Sequence, residues 1–240
     1  FVHLPVNADV CTLLSALVDK YRQDEFVVQA LALATKAFSS IDVSNADMCS
    51  HSQLYANSLR LLKAHMNSAD TTEALLKAII AMNSSQLNKQ HFINIDVLEL
   101  LHYIITKHIE VSPLCASACD LVSQITADSR EIKGICSSAG FCSLVIRALQ
   151  LHVHDAPAAS ACCRALQVLC DQQKANIRNV IDHGVADILA HALNFHREDS
   201  SAFTSVSDLI GLLVEASMEF LASVISLDIR EVLVPTLDTF

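Results

Sequence analysis

The chain has 240 residues, 52% hydrophobic and 18% charged, with a mean hydropathy of +0.39 and a net charge of −10 when its 11 histidines are neutral. Charged or polar residues interrupt every apolar run before the roughly 18 residues that a bilayer span demands, which excludes a membrane-crossing helix. The 16 Lys and Arg never gather into a run, which argues against non-specific nucleic-acid binding and leaves basic or mixed protein partners.

Residues 8–22 place Val10, Leu13, Leu14, Leu17 and Val18 on one helical face, and Asp24 is positioned to cap a second helix running through Ser39. The polar stretch 41–53 reads as a loop with a short helix. Another apolar helix covers 54–67, after which Asp70 and Glu73 have capping-box spacing for a helix carrying Leu75, Leu76, Ile79, Ile80 and Met82. A new segment begins near Leu87, and in it Ser112 before Pro113 reads as a cap followed by a first helical position.

Residues 130–173 and 174–217 superpose without a gap. The overlay matches Gly140 to Gly184, Ala148 to Ala192, Leu149 to Leu193, His152 to His196, Asp155 to Asp199 and Leu169 to Leu213. A period in the 40s marks stacked helical repeats. Each repeat parses as short helix, long helix, long helix, with Asp155 and Asp199 starting the third. Gly140 and Gly184 fall at a tight turn before the second helix, where φ > 0 suits glycine. Asp96 and Asp228 fall at the corresponding places in the flanking repeats. The expected repeats are 1–43, 44–86, 87–129, 130–173 and 174–217, with a partial sixth over 218–240, forming a single domain.

The segments ANIRNVIDHGVADILAHAL and AASACCRALQVLC carry a resemblance to the armadillo repeat family, closest over 87–217. That resemblance implies an all-α, right-handed α-solenoid (superhelix) of about five to six three-helix repeats, whose third helices line a concave groove for an extended peptide or a partner helix. In the family's nuclear import receptors that groove carries Trp and Asn ladders. Here the Trp positions fall on Asp120, Arg164 and Asp208, and the Asn positions on Gln124, Val168 and Leu212, so import-type reading of a basic signal is the less favoured alternative. The groove face has its own polar strip: Asp120, Ser123 and Gln124; Ser160, Arg164 and Asp171; Thr204, Asp208 and Glu215. It reads either as a partner-binding strip or as the solvated side of stacked helices.

His108, His152 and His196 recur at intervals of 44, with His65 lying 43 before the first, always at the end of a second helix. Helices about 8–10 Å apart cannot bring such a ladder to one zinc ion, whose nitrogen ligands sit at about 2.0–2.1 Å. Helix C-terminal capping is the favoured role, and a pH-dependent surface the alternative. Cys115 with Cys119, His152 with His154, and His191 with His196 supply no four-ligand spacing, so neither metal nor cofactor is expected. Cys162 and Cys163 read as inert packing. With four glycines and no phosphate loop, nucleophile elbow or acid cluster, the chain reads as a non-enzyme.

The expected function is a non-catalytic scaffold or adaptor. The alternative is a regulatory domain of a larger enzyme. Nine cysteines, an odd number and largely within apolar helical patterns, imply a reducing compartment, cytoplasmic or nuclear. Phe1 is not an initiator methionine, so a native N-terminus with any targeting or lipid signal is expected upstream. Apolar surface on the partial sixth repeat makes self-association through that end an expectation as well.

Overall fold

The computed structural model describes residues 8–85, 88 and 95–227. Among them every regular element is helical: α1 (Ala8–Tyr21), α2 (Glu25–Ser39), α3 (Val43–His51), α4 (Leu54–His65), α5 (Ala69–Met82), α6 (Ile95–Lys107), α7 (Ser112–Thr126), α8 (Arg130–Ser138), α9 (Phe141–Leu151), α10 (Ala156–Cys170), α11 (Lys174–Asp182), α12 (Val185–Phe195), α13 (Ser200–Ala216) and α14 (Met218–Ser226). Helices α8, α9 and α10 have 9, 11 and 15 residues, and α11, α12 and α13 have 9, 11 and 17. The 44-residue period of the sequence is thus a period of three helices. Asp228 and Leu87, near which the third repeat is expected to begin, lie outside the described residues.

The chain divides into two compact units, Phe1–Lys107 and His108–Phe240. In the first, α2 packs between α1 and α5, α4 packs against α1 and α5, and α3 joins α2 to α4. Leu54, Leu62, Leu75, Leu76, Ile79 and Met82 fill its centre. In the second, α10 lies between α7 and α13, with α9 against α10, α12 against α13, and α14 against α13 and α12. Its core is made of Phe141, Val145, Leu149, Leu166, Leu169, Val185, Leu189, Leu209 and Leu213. The seam between α7 and α10 is built from small side chains, among them Ala118, Cys119, Ala161, Cys162 and Ala165, so the two backbones can approach closely. Among the described residues no single helix is long and apolar enough to cross a membrane.

Aspartate caps explain where α2, α10 and α13 start. Asp24 Oδ1 accepts from the amides of Phe26 (3.1 Å) and Val27 (3.2 Å), Asp155 Oδ1 from Ala158 (3.0 Å) and Asp199 Oδ1 from Ala202 (2.9 Å). Two other starts differ from expectation. The Asp70–Glu73 capping box does not form, because the helix begins one residue before Asp70 with Ser68 as N-cap, and Glu73 instead pairs with Lys77. Pro113 sits within the first turn of α7, but the capping residue is Val111 rather than Ser112. On α1 the buried side is Cys11, Leu14, Ser15 and Val18, while Val10 and Leu13 of the expected face are exposed.

Gly140 (φ 79°) and Gly184 (φ 68°) hold the left-handed turn before α9 and α12, as their spacing predicts. Asp96 does not. Helix α6 already begins at Ile95, so Asp96 lies in its first turn, where a carboxylate faces the positive end of the helix dipole. The third left-handed N-cap is Gln53, at φ 62°, which lies 87 residues before Gly140 and takes the turn before α4 without glycine's freedom. Opposite substitutions at this turn therefore have opposite signs. Gly140→Ala, for which a Cβ would meet nothing within 4 Å, loses stability through backbone conformation alone, by about 1 kcal/mol, whereas Gln53→Gly gains up to about 1 kcal/mol. Urea denaturation midpoints read both shifts.

Candidate protein-binding face

Helices α7, α10 and α13 begin one residue after Val111, Asp155 and Asp199, so residues 44 apart stand at equivalent places on neighbouring helices. Asp120, Arg164 and Asp208 form such a column. Arg164 donates through one terminal nitrogen to Asp120 Oδ1 at 2.7 Å and through the other to Ser160 Oγ. Both ends of the Asp120–Arg164 pair are partly exposed, so it contributes at most about 1 kcal/mol, but it fixes the guanidinium across the α7–α10 seam. Ser160 is buried and shares a hydrogen bond of 2.8 Å with Ser205 Oγ, which in turn donates to the Ser201 carbonyl at 2.9 Å. Ser160 therefore belongs to a polar seam between α10 and α13.

The remaining strip residues fall into two groups. Ser123, half-buried, donates to the Asp120 carbonyl at 2.7 Å, and Gln124 is half-buried beside it. Asp171 turns toward the short helix α8, where its Oδ2 accepts from the buried Lys133 Nζ at 2.8 Å. Thr204, Asp208 and Glu215 are all exposed on α13, and none makes a hydrogen bond or ion pair among the described residues. The structure thus gathers the nine strip residues on neighbouring elements but ties the α7 and α10 members into internal networks. Lys133, Ser201 and Ser205 went unnoticed in the sequence, where the only available signal was their 38–45-residue separation from strip residues.

The histidine ladder is a set of staples between consecutive triplets. His65 Nε2 lies 2.8 Å from the Arg22 carbonyl, His152 Nε2 2.7 Å from that of Ile109, and His196 Nε2 2.7 Å from that of Val153. A carbonyl only accepts, so Nε2 carries the proton in each ring. Each histidine stands at the end of its own second helix, but the helix end that it caps is that of the triplet before. His65 and His196 are buried, His152 half-buried, and His108 buried at the matching place.

A second ladder escaped sequence reading because its members fall in polar segments, Asn45 and Asn176 on the short helices α3 and α11 and Asn88 beyond the end of α5. Asn45 donates to the Phe38 carbonyl (3.0 Å), Asn88 to Met82 (2.7 Å) and Asn176 to Leu169 (2.6 Å), each closing the end of the preceding third helix. Asn88 and Asn176 reach back further, to the carbonyls of Ala46 (2.8 Å) and Lys133 (3.4 Å).

All nine cysteines are buried and unbridged. The sulfurs of Cys119 and Cys162 are 3.7 Å apart across the α7–α10 seam, and those of Cys11 and Cys49 are 3.9 Å apart. Burial pushes the thiols of Cys49, Cys115, Cys136 and Cys163 from 9.0 up to about 12, and that of Cys142 up to about 11. Among the described residues no three His, Cys, Asp or Glu side chains are grouped to hold a metal ion.

No protein-family model matches the chain, and no curated protein does either. Among solved structures, the crystal structure of an engineered protein from the Northeast Structural Genomics Consortium is similar, with a TM-score of 0.76 at 15% identity over 95% of this chain and 89% of that one. At that identity the likeness concerns the fold alone.

Two outcomes follow from the buried groups. Replacing His196 by Phe strands the Val153 carbonyl and lowers stability by about 1–3 kcal/mol, read from chemical denaturation. For the thiols, folded and unfolded chains are equally protonated below pH 9, so burial has no pH effect there. Above the ordinary value of 9.0, the unfolded chain ionises while the folded one does not, so stability falls as pH rises from 9 toward about 12. At pH 7.5 a thiol reagent should label the native protein very slowly and all nine cysteines once guanidinium is added.

Proposed function

We propose that the chain is a right-handed α-solenoid of the armadillo type and acts as a non-catalytic scaffold, holding a segment of a partner protein along α7, α10 and α13. Support for the architecture comes from the recurring triplets, the left-handed residue before each of α4, α9 and α12, and the side-by-side packing of the third helices. Stacked helical repeats commonly use the extended surface made by one helix of each repeat for binding.

The observation that carries the reading is the contrast within one column. Asp120 and Arg164 satisfy each other, whereas Asp208, with Thr204 and Glu215 on the same helix, stays exposed and unpaired among the described residues. A fixed guanidinium beside an open acidic strip suits an extended segment or helix that brings basic side chains to α13 and an acceptor to the rim of Arg164. Rim charges of this kind govern encounter rate and orientation more than depth of affinity.

The test is affinity capture from native lysate with charge reversal. Asp208→Lys combined with Glu215→Lys should abolish capture of the main partner, while Asp187→Lys on the exposed side of α12 leaves it intact. Capture indifferent to the α13 changes removes the binding role from this face.

A further inference from the structure

Helix α2 buries one side and bares the other. Val28, Leu31, Ala32, Thr35, Phe38 and Ser39 are buried, while Phe26 is 85% exposed, Leu33 58%, and Ala30, Ala34 and Ala37 are exposed beside them. It departs twice from the other third helices. Where α2 has Ala30 and Ala34, helix α7 has Ser117 and Leu121, α10 has Ala161 and Ala165, and α13 has Ser205 and Leu209, all buried. Where α2 has Leu33, the others carry Lys77, Asp120, Arg164 and Asp208. On α5 the corresponding Ala74 is half-buried and Ala78 buried, so helix α2 is barer than any of its equivalents at these places, and apolar where they are charged.

Phe26, Ala30, Leu33 and Ala37 are spaced four, three and four apart, which lines them along one stripe. Along the stripe the side chains run large, small, large, small. We propose that this stripe joins two copies of the chain, with α2 packed antiparallel on α2 of the second copy. In that arrangement Phe26 of each copy lies over Ala37 of the other, and Leu33 over Ala30, so every large side chain meets a small one at both ends. A parallel pairing would set Phe26 on Phe26 and Ala30 on Ala30, an overfilled contact beside a void. The small residues allow the interaxial distance of about 8–10 Å that closely packed helices adopt.

Charge gives the same orientation. Glu25 and Lys36 are both exposed and lie on the same flank of the stripe. Antiparallel helices bring like flanks together, so Glu25 of each copy meets Lys36 of the other, whereas a parallel pair leaves both without an opposite charge. Within the chain, Glu25 Oε2 also accepts from Ser68 Oγ at 3.0 Å. The contact also continues an existing interface, because α5 packs on the opposite face of α2 and a second helix would extend the same layer outward.

Sedimentation velocity and light scattering on the purified chain test the proposal. The wild-type chain is expected to dimerise in the micromolar range and dissociate on dilution, and Leu33→Glu to weaken dimerisation at least about tenfold with an unchanged helical circular dichroism spectrum. Orientation is read separately by thiol trapping. An Ala30→Cys chain mixed with a Leu33→Cys chain should cross-link faster than the Leu33→Cys chain with itself, and the buried native thiols stay silent. Glu25→Lys and Lys36→Glu should each weaken the dimer, and together restore it. A chain monomeric up to about 100 μM overturns the proposal and leaves the stripe to a helix from another polypeptide. A dimer indifferent to Leu33→Glu, or one that traps Leu33→Cys preferentially with itself, overturns it equally.

Discussion

Each triplet in this chain must satisfy backbone carbonyls that its own helices leave unpaired. The last turn of any α-helix has no internal donors for its carbonyls, and burying such a group without a partner costs about 1–3 kcal/mol. The next triplet supplies the donors here. An imidazole Nε2 from the end of one second helix reaches the carbonyl past the end of the previous one, and an asparagine amide from further along the chain reaches the end of each of α2, α5 and α10. Apolar contact between helices is tolerant of sliding, but these hydrogen bonds have one register. They fix which residues of successive helices come level.

The arrangement of charge on α7, α10 and α13 depends on that register. Arg164 meets Asp120 because the two stand one period apart on neighbouring helices, and Ser160 meets Ser205 for the same reason. A shift by one residue would turn each side chain by about 100° around its helix and break both contacts. Once the internal pairs are made, what is left outward on α13 is acidic and open. On α2 the same helix position carries leucine, and the outward face is apolar. The same helix pattern thus offers chemically distinct surfaces in the two units, because the positions that hold each together and those that face out are different residues of the same helices.

The thiols fit this division. Cys115, Cys119, Cys162, Cys163 and Cys170 are all buried; Cys119 and Cys162 meet across the α7–α10 seam, while Cys115 lies against the carbonyls of His108 and Ile109. Desolvation raises the thiols of Cys115, Cys163 and Cys170 above their ordinary value, so these three behave as packing.

The sequence by itself determined the period, the helix triplets and several helix starts, because these depend on local chemistry: an Asp side chain capping its own amides, a glycine free to take φ > 0, an apolar spacing of three and four. It marked the histidines as a ladder and the strip residues as neighbours on one face. Only the tertiary structure decided what those residues touch. Gln53 holding a glycine-type turn, Asp96 inside a helix, His152 bonded to Ile109 and Asp171 turned to Lys133 all depend on partners or helix ends set by packing. A period says which residues are equivalent. Which atoms meet is decided by how far one helix slides and turns against the next, and that is settled by buried hydrogen bonds between residues some 40 positions apart.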